Sequence, residues 1–147
     1  MPATRVDEDT IIRLRSALVR IGRRLRSTSA EEDLTPTQSG VLATLVIRGP
    51  LRAGDLAEAE GINPTMLSRV LGHLDGRGLI EREPDPDDGR CTRVAAAPDG
   101  AALVARLRER RAAVLHARLQ RMPADRLAAL LAALPALEDL AREEDPR

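Results

Sequence analysis

The stretch Asn63-Pro64-Thr65-Met66-Leu67-Ser68-Arg69-Val70-Leu71-Gly72-His73-Leu74-Asp75-Gly76-Arg77 decides the reading of this chain. Asparagine is a strong helix N-cap and proline suits the first helical position, so a helix opens here. Leu67, Val70, Leu71 and Leu74 stand at i, i+3, i+4 and i+7, which makes one apolar face for docking. The opposite face carries Thr65, Ser68, Arg69, Gly72 and His73, with Met66 near its edge. Small side chains let a backbone approach the floor of a DNA major groove, and Arg69 is suited to a bidentate guanine contact. The competing role for Arg69 is an intrahelical pair with Asp75. Gly72 costs this helix about 1 kcal/mol relative to alanine.

Working outward, Gly61-Ile62 separates this helix from a short one over residues 53–60, with Gly61 in the left-handed C-terminal position. That spacing is the tight turn of a helix-turn-helix. Further upstream, Thr35-Pro36-Thr37-Gln38 supplies a cap, a first-position proline and a capping-box partner. Val41, Leu42, Leu45 and Val46 form the buried stripe of that helix, Gly49-Pro50 ends it, and Leu51 is a short strand. Downstream, Gly76 and Gly78 mark the exit. Residues 79–83 read as a strand, 84–90 as an acidic turn, and 91–96 as the returning strand. Helices followed by a hairpin in this order describe a winged helix-turn-helix.

The flanks are helical. From Asp9 to about Ser29, Ile11, Leu14, Leu18, Ile21 and Leu25 recur at spacings of three and four, with Ile12 and Val19 widening the stripe. Such a stripe is long for a lone surface helix and suits packing against a partner subunit. The arginines among them read as a solvated face. From Pro98, Leu103, Leu107, Val114, Leu115, Leu119 and Met122 give a second stripe over about seven turns, up to Pro123. A last helix from Ala124 carries Leu127, Leu130, Leu131, Leu134 and Leu137, with Pro135 placed to kink or end it. The fold class is therefore mainly α with a small β-hairpin wing. Residues 1–34 hold an N-terminal dimerisation helix and linker, 35–97 the winged unit, and 98–147 C-terminal dimerisation helices.

Composition limits the remaining classes. The chain has 147 residues, 43% hydrophobic and 31% charged, the make-up of one folded domain with helical extensions. Its most apolar run, residues 127–137, is about half of the ~20 residues a membrane span requires. No secretory signal is visible at the N-terminus, and a cytoplasmic protein without membrane association is expected. There are no aromatic residues, so no stacking platform for single-stranded nucleic acid exists. One cysteine and two histidines argue against structural zinc, and no metal or cofactor is expected. No nucleophile–base set or phosphate-cradling loop appears, and Glu81, Glu83 and Asp85 fall where a wing exposes them to water. An enzyme is not expected.

In its ordered motifs the sequence resembles the multiple antibiotic resistance regulator (MarR) family of bacterial transcription factors. The carrying residues are Leu34-Thr35-Pro36-Thr37-Gln38, Leu56-Ala57, Asn63 to Leu71, Leu74-Asp75-Gly76-Arg77-Gly78-Leu79-Ile80, Arg82, Asp88-Gly89-Arg90 and Pro98-Asp99-Gly100. The resemblance implies a homodimer on a pseudo-palindromic double-stranded operator, probing the major groove with one recognition helix per subunit. It assigns major-groove contacts to Thr65, Met66, Ser68, Arg69 and His73. The wing's Arg90 takes the adjacent minor groove, with Asp88 orienting it or pairing with a neighbouring arginine. The alternative for Arg90 is a solvated tip charge. The resemblance also implies release by a small amphipathic organic ligand, in an aliphatic pocket lined by Leu18, Ile21, Leu25, Val41, Leu45 and the helix after Pro98.

Two features pull against that reading. Gly89 stands where the family often has a second basic residue. Between residues 35 and 97, seven arginines meet nine acids, a net of −2, which is low where affinity is largely electrostatic. That balance keeps open a second class, a winged-helix module that binds protein instead of DNA. Cys91 lies between Arg90 and Arg93 but also near Asp87 and Asp88, and reads as an inert hairpin cysteine rather than a redox sensor. His116 reads as a surface or packed histidine.

Overall fold

The computed structural model describes residues 6–26 and 34–142. Its elements are α1 (Glu8–Arg26), α2 (Pro36–Arg48), β1 (Leu51–Arg52), α3 (Ala53–Glu60), α4 (Pro64–Gly76), β2 (Ile80–Pro84) and β3 (Thr92–Ala96). Then follow α5 (Pro98–Leu119), α6 (Ala124–Ala132) and α7 (Leu134–Arg142). The chain separates into two compact units, Met1–Arg111 and Ala112–Arg147. Residues 27–29, which the sequence pattern adds to the first helix, lie outside the described residues.

Local chemistry sets the helix starts. The Thr35 hydroxyl accepts from the Gln38 N–H at 3.2 Å, and the Gln38 side chain accepts from the Thr35 N–H at 2.9 Å, so the capping box at α2 is complete. The Asn63 side chain accepts from the Met66 N–H at 2.8 Å to open α4. Between α3 and α4, Gly61 adopts φ 62° and donates back to the Ala57 and Glu58 carbonyls. Only glycine takes that conformation freely, and it makes the two-helix turn tight.

The apolar faces of α2, α3 and α4 close on one interior. Val41, Leu42, Leu45, Leu56, Leu67, Leu74 and Val94 are essentially inaccessible. Leu103, Val104 and Leu107 from the first half of α5 complete this core. The sheet has the order β1-β3-β2, all antiparallel, with Leu51 opposite Val94 and Arg82 also opposite Val94 on the other side. A glycine locks α5 against the hairpin's entry. A Cβ added to Gly100 would lie 2.1 Å from the Leu79 carbonyl oxygen.

Several boundaries differ from the sequence pattern. Leu79 is not in the strand, because its N–H closes the end of α4 on the Leu74 carbonyl at 3.0 Å. Pro84 is in it, opposite Thr92, which an edge strand tolerates because no ladder donor is needed outward. The returning strand begins at Thr92 because Cys91 belongs to the turn. Its N–H donates to the Asp88 carbonyl and its carbonyl accepts from the Asp85 N–H, both at 2.9 Å. The long helix stops at Leu119, short of Met122. Pro135 sits in the first turn of α7, where its missing N–H leaves no bond unmade. The helix break itself falls at Ala133.

Candidate nucleic-acid interface

Docking of α4 through its apolar face leaves Thr65, Met66, Ser68, Arg69, Gly72, His73 and Gly76 on the opposite, exposed side. Six of them follow i, i+3, i+4, i+7, i+8 and i+11 from Thr65, a strip along the helix, and Met66, 45% exposed, borders it. Space above Gly72 and Gly76 is open. The strip is low in profile, and Arg69 is the long cationic group on it. Arg69 does not pair with Asp75, whose carboxylate instead faces the Arg82 guanidinium at 3.9 Å.

The wing tip is built by two carboxylates with different tasks. Asp85 is buried, contrary to the exposure expected for the acids of this hairpin, because it has three donors to satisfy. One of its oxygens accepts from Arg52 Nε at 2.6 Å. The other accepts from the backbone N–H groups of Asp87 at 2.8 Å and Asp88 at 3.2 Å. The Arg52 bond, with help from the Asp87 N–H, holds the Asp85 carboxyl well below the usual carboxylate range. Asp88 in turn accepts from the backbone N–H of Arg90 at 3.1 Å. It therefore braces the Arg90 backbone, and the guanidinium of Arg90 stays exposed beyond it.

Charge accounting around the site singles out few cations. Of the arginines between residues 35 and 97, Arg52, Arg82 and Arg93 face acids and Arg77 is engaged. Arg48, Arg69 and Arg90 have no such partner among the described residues. Arg48 ends α2, where a cation complements the helix dipole. The Cys91 thiol donates to Asp88 at 3.5 Å, and that bond together with burial pushes the thiol above its ordinary range. It stays protonated at neutral pH and is a poor nucleophile.

The five residues expected to line a ligand pocket are not equally available. Val41 and Leu45 are 0% and 1% exposed, sealed inside the core, whereas Leu18 and Ile21 are about half exposed on α1. Leu25, on the same helix, is partly buried. A different hollow lies against α4, between it and the start of α3. Ala53, Ala57, Pro64 and Leu67 give it an apolar floor, and Ser68 and Arg82 supply polar edges. Arg52, Asp85 and Gly100 escaped the sequence reading as structural determinants. The Asp85-Pro86-Asp87-Asp88 run is a turn signal that could have exposed Asp85, whereas nothing local points to Arg52, 33 residues away.

Comparison with known proteins agrees with this geometry. The MarR family model matches residues 34–92, the span from the residue before the α2 cap to the first residue of β3. An uncharacterized HTH-type transcriptional regulator of Mycobacterium leprae is 34% identical over 110 residues, 75% of this chain and 77% of that protein. The multiple antibiotic resistance protein MarR of Salmonella typhimurium is 34% identical over 99 residues, covering 67% of this chain and 69% of its own length. The chain belongs to the MarR family. Among solved structures, a Staphylococcus aureus MepR mutant bound to an oligodeoxyribonucleotide superposes with a TM-score of 0.67 at 18% identity, covering 94% of this chain and all of that one. This MarR-family member is a DNA-binding transcriptional regulator and not an enzyme. The winged-helix fold is shared across the family, and the reading as a protein-only interaction module is set aside. Among the described residues, no helix is long and apolar enough to cross a membrane.

Proposed function

We propose that this MarR-family regulator works as a homodimeric repressor on a pseudo-palindromic operator. One α4 per subunit enters the major groove, and each wing tip places Arg90 in the adjacent minor groove. A two-fold protein then matches half-sites about one helical turn apart. The observation that carries the reading is that Arg69 and Arg90, on the two surfaces a duplex would meet, have guanidinium groups without a partner among the described residues. Thr65, Met66, Ser68 and His73 line the same surface as Arg69, and Asp88 acts on Arg90 through its backbone. The exposed apolar side chains of α1, α6 and α7 supply the dimer contacts. A small amphipathic ligand releases the operator. The hollow beside α4 suits the organic acid among such ligands, since Arg82 and Ser68 stand over an apolar floor.

The test uses fluorescence anisotropy with a labelled duplex from the region upstream of the gene and a random duplex of equal length. Arg90→Ala weakens binding to both by about tenfold, since a groove-depth cation reads shape and charge. Arg69→Ala weakens the upstream duplex more than the random one, because base-edge contacts carry sequence preference. Equal losses for Arg69→Ala on the two duplexes would remove the major-groove assignment.

A further inference from the structure

The helix-turn-helix and the wing are joined by a pair that the recognition surface does not itself contain. Arg52 occupies the N-cap position of α3, and no side chain caps that helix. Serine, threonine, asparagine or aspartate would accept the free N–H groups there, whereas arginine carries donors only. Its guanidinium reaches to the hairpin instead, where Nε donates to Asp85 at 2.6 Å. The Arg52 side chain is 44% exposed and that of Asp85 only 5%, so the buried end of the pair lies in the wing.

From Asp85 the contacts run straight to the tip. The second carboxylate oxygen holds the N–H groups of Asp87 and Asp88, and the Asp85 N–H ties to the Cys91 carbonyl across the turn. Asp88 then holds the Arg90 N–H. The Arg90 backbone is thus tied to Asp88, the Asp87 and Asp88 backbone to Asp85, and Asp85 to the residue just before α3. Without Arg52, the Asp85 charge would be buried and unpaired, and it would have to leave its site to find water. The turn would lose the acceptor that shapes it.

We propose that Arg52 and Asp85 are positioning residues for DNA binding: they fix the wing tip relative to the helix-turn-helix so that Arg90 enters the minor groove in a preset orientation, without contacting DNA themselves. The proposal rests on the assignment of Arg90 to the minor groove.

Asp85→Asn separates this role from simple electrostatics. Removing a negative charge from an acidic tip strengthens DNA binding if charge alone matters. Asparagine, however, has a single carbonyl acceptor and cannot serve both Arg52 and the Asp87–Asp88 amides. If the pair positions the tip, Asp85→Asn weakens binding to the labelled upstream duplex by about tenfold, matching Arg90→Ala. The double variant Asp85→Asn/Arg90→Ala binds no more weakly than Arg90→Ala alone, because the pair acts through that one side chain. Arg52→Met gives the same non-additive loss, and it serves as the second route should Asp85→Asn fold poorly by circular dichroism. Unchanged or tighter binding by folded Asp85→Asn overturns the proposal, as do losses that multiply with Arg90→Ala. If Arg90→Ala itself binds like the wild type, the minor-groove assignment falls first and the positioning role falls with it. If only the Asp85 and Arg52 variants bind like the wild type, the assignment stands and the positioning role alone is lost.

Discussion

Helices α2 and α1 carry apolar side chains at similar helical spacings and meet opposite fates. In α2, Val41, Leu42 and Leu45 vanish into the interior made with α3, α4, β3 and α5. In α1, no residue is buried, and Ile11, Leu14, Leu18 and Ile21 remain 43–52% exposed. The terminal helices resemble α1, since α6 and α7 also bury nothing and expose Leu130, Leu131, Leu134 and Leu140. Periodicity reports that a face is to be covered, but not by which chain. An apolar set of this extent left to water marks an association surface. The winged unit has its own interior, and in the proposed dimer the flanking helices take theirs from a second copy.

The sharpest way to break that contrast is substitution on the two stripes. Leu42→Ala should lower stability by about 2–5 kcal/mol, read from urea unfolding of both proteins at one fixed concentration. Leu14→Asp with Leu18→Asp should instead leave the winged unit folded and convert dimer to monomer by light scattering. Persistence of the dimer in that variant would show that α1 does not form its interface.

Two helical glycines, one on α4 and one at the start of α5, sharpen the contrast around the same interior. Gly100→Ala forces a methyl group against the Leu79 carbonyl, and a loss of about 1–3 kcal/mol is expected in thermal unfolding. Gly72→Ala meets nothing, and stability should rise by up to about 1 kcal/mol. Duplex affinity of Gly72→Ala should fall all the same, because the added methyl group stands on the strip facing the groove. A stabilised Gly72→Ala protein with unaltered affinity would place the groove floor elsewhere.

The smallest effect concerns the tip of the wing, whose turn is built on the Asp85 carboxylate and its bond to Arg52. The folded-state carboxyl of Asp85 titrates below its unfolded value, so its contribution is present above the ordinary carboxylate range and is lost as pH falls through the lower, folded value. Hydrogen-exchange protection of the Asp87 and Asp88 amides, corrected for intrinsic rates, should therefore persist to about pH 4 and disappear only below it. Loss of that protection between about pH 6 and pH 5, above the ordinary carboxylate range, would contradict the Arg52–Asp85 bond.

Much of the fold was legible because its signals are local. Thr35 with Gln38 and Asn63 with Pro64 announce two helix starts within four residues each, and Gly61 marks the turn between α3 and α4. The strip of α4 was also readable, because docking by Leu67, Val70, Leu71 and Leu74 dictates which residues face away. The strand limits at Leu79 and Cys91 were less so. Each of these residues spends its backbone groups on a neighbouring turn, a choice made by geometry that side-chain pattern does not report. The pocket residues show the same limit, since a stripe contains Val41 and Leu45 whether the core is sealed or open.

The order of capped helices, glycine turns and a turn-bounded hairpin determined the winged architecture from sequence alone, since each depends on contacts only a few residues apart. Tertiary structure alone decided that Asp85 is inside and the α1 stripe outside, that Gly100 admits no side chain, and that Arg52 serves the wing. Those outcomes depend on groups distant in the chain competing for the same space and the same donors, and no window of sequence contains both competitors.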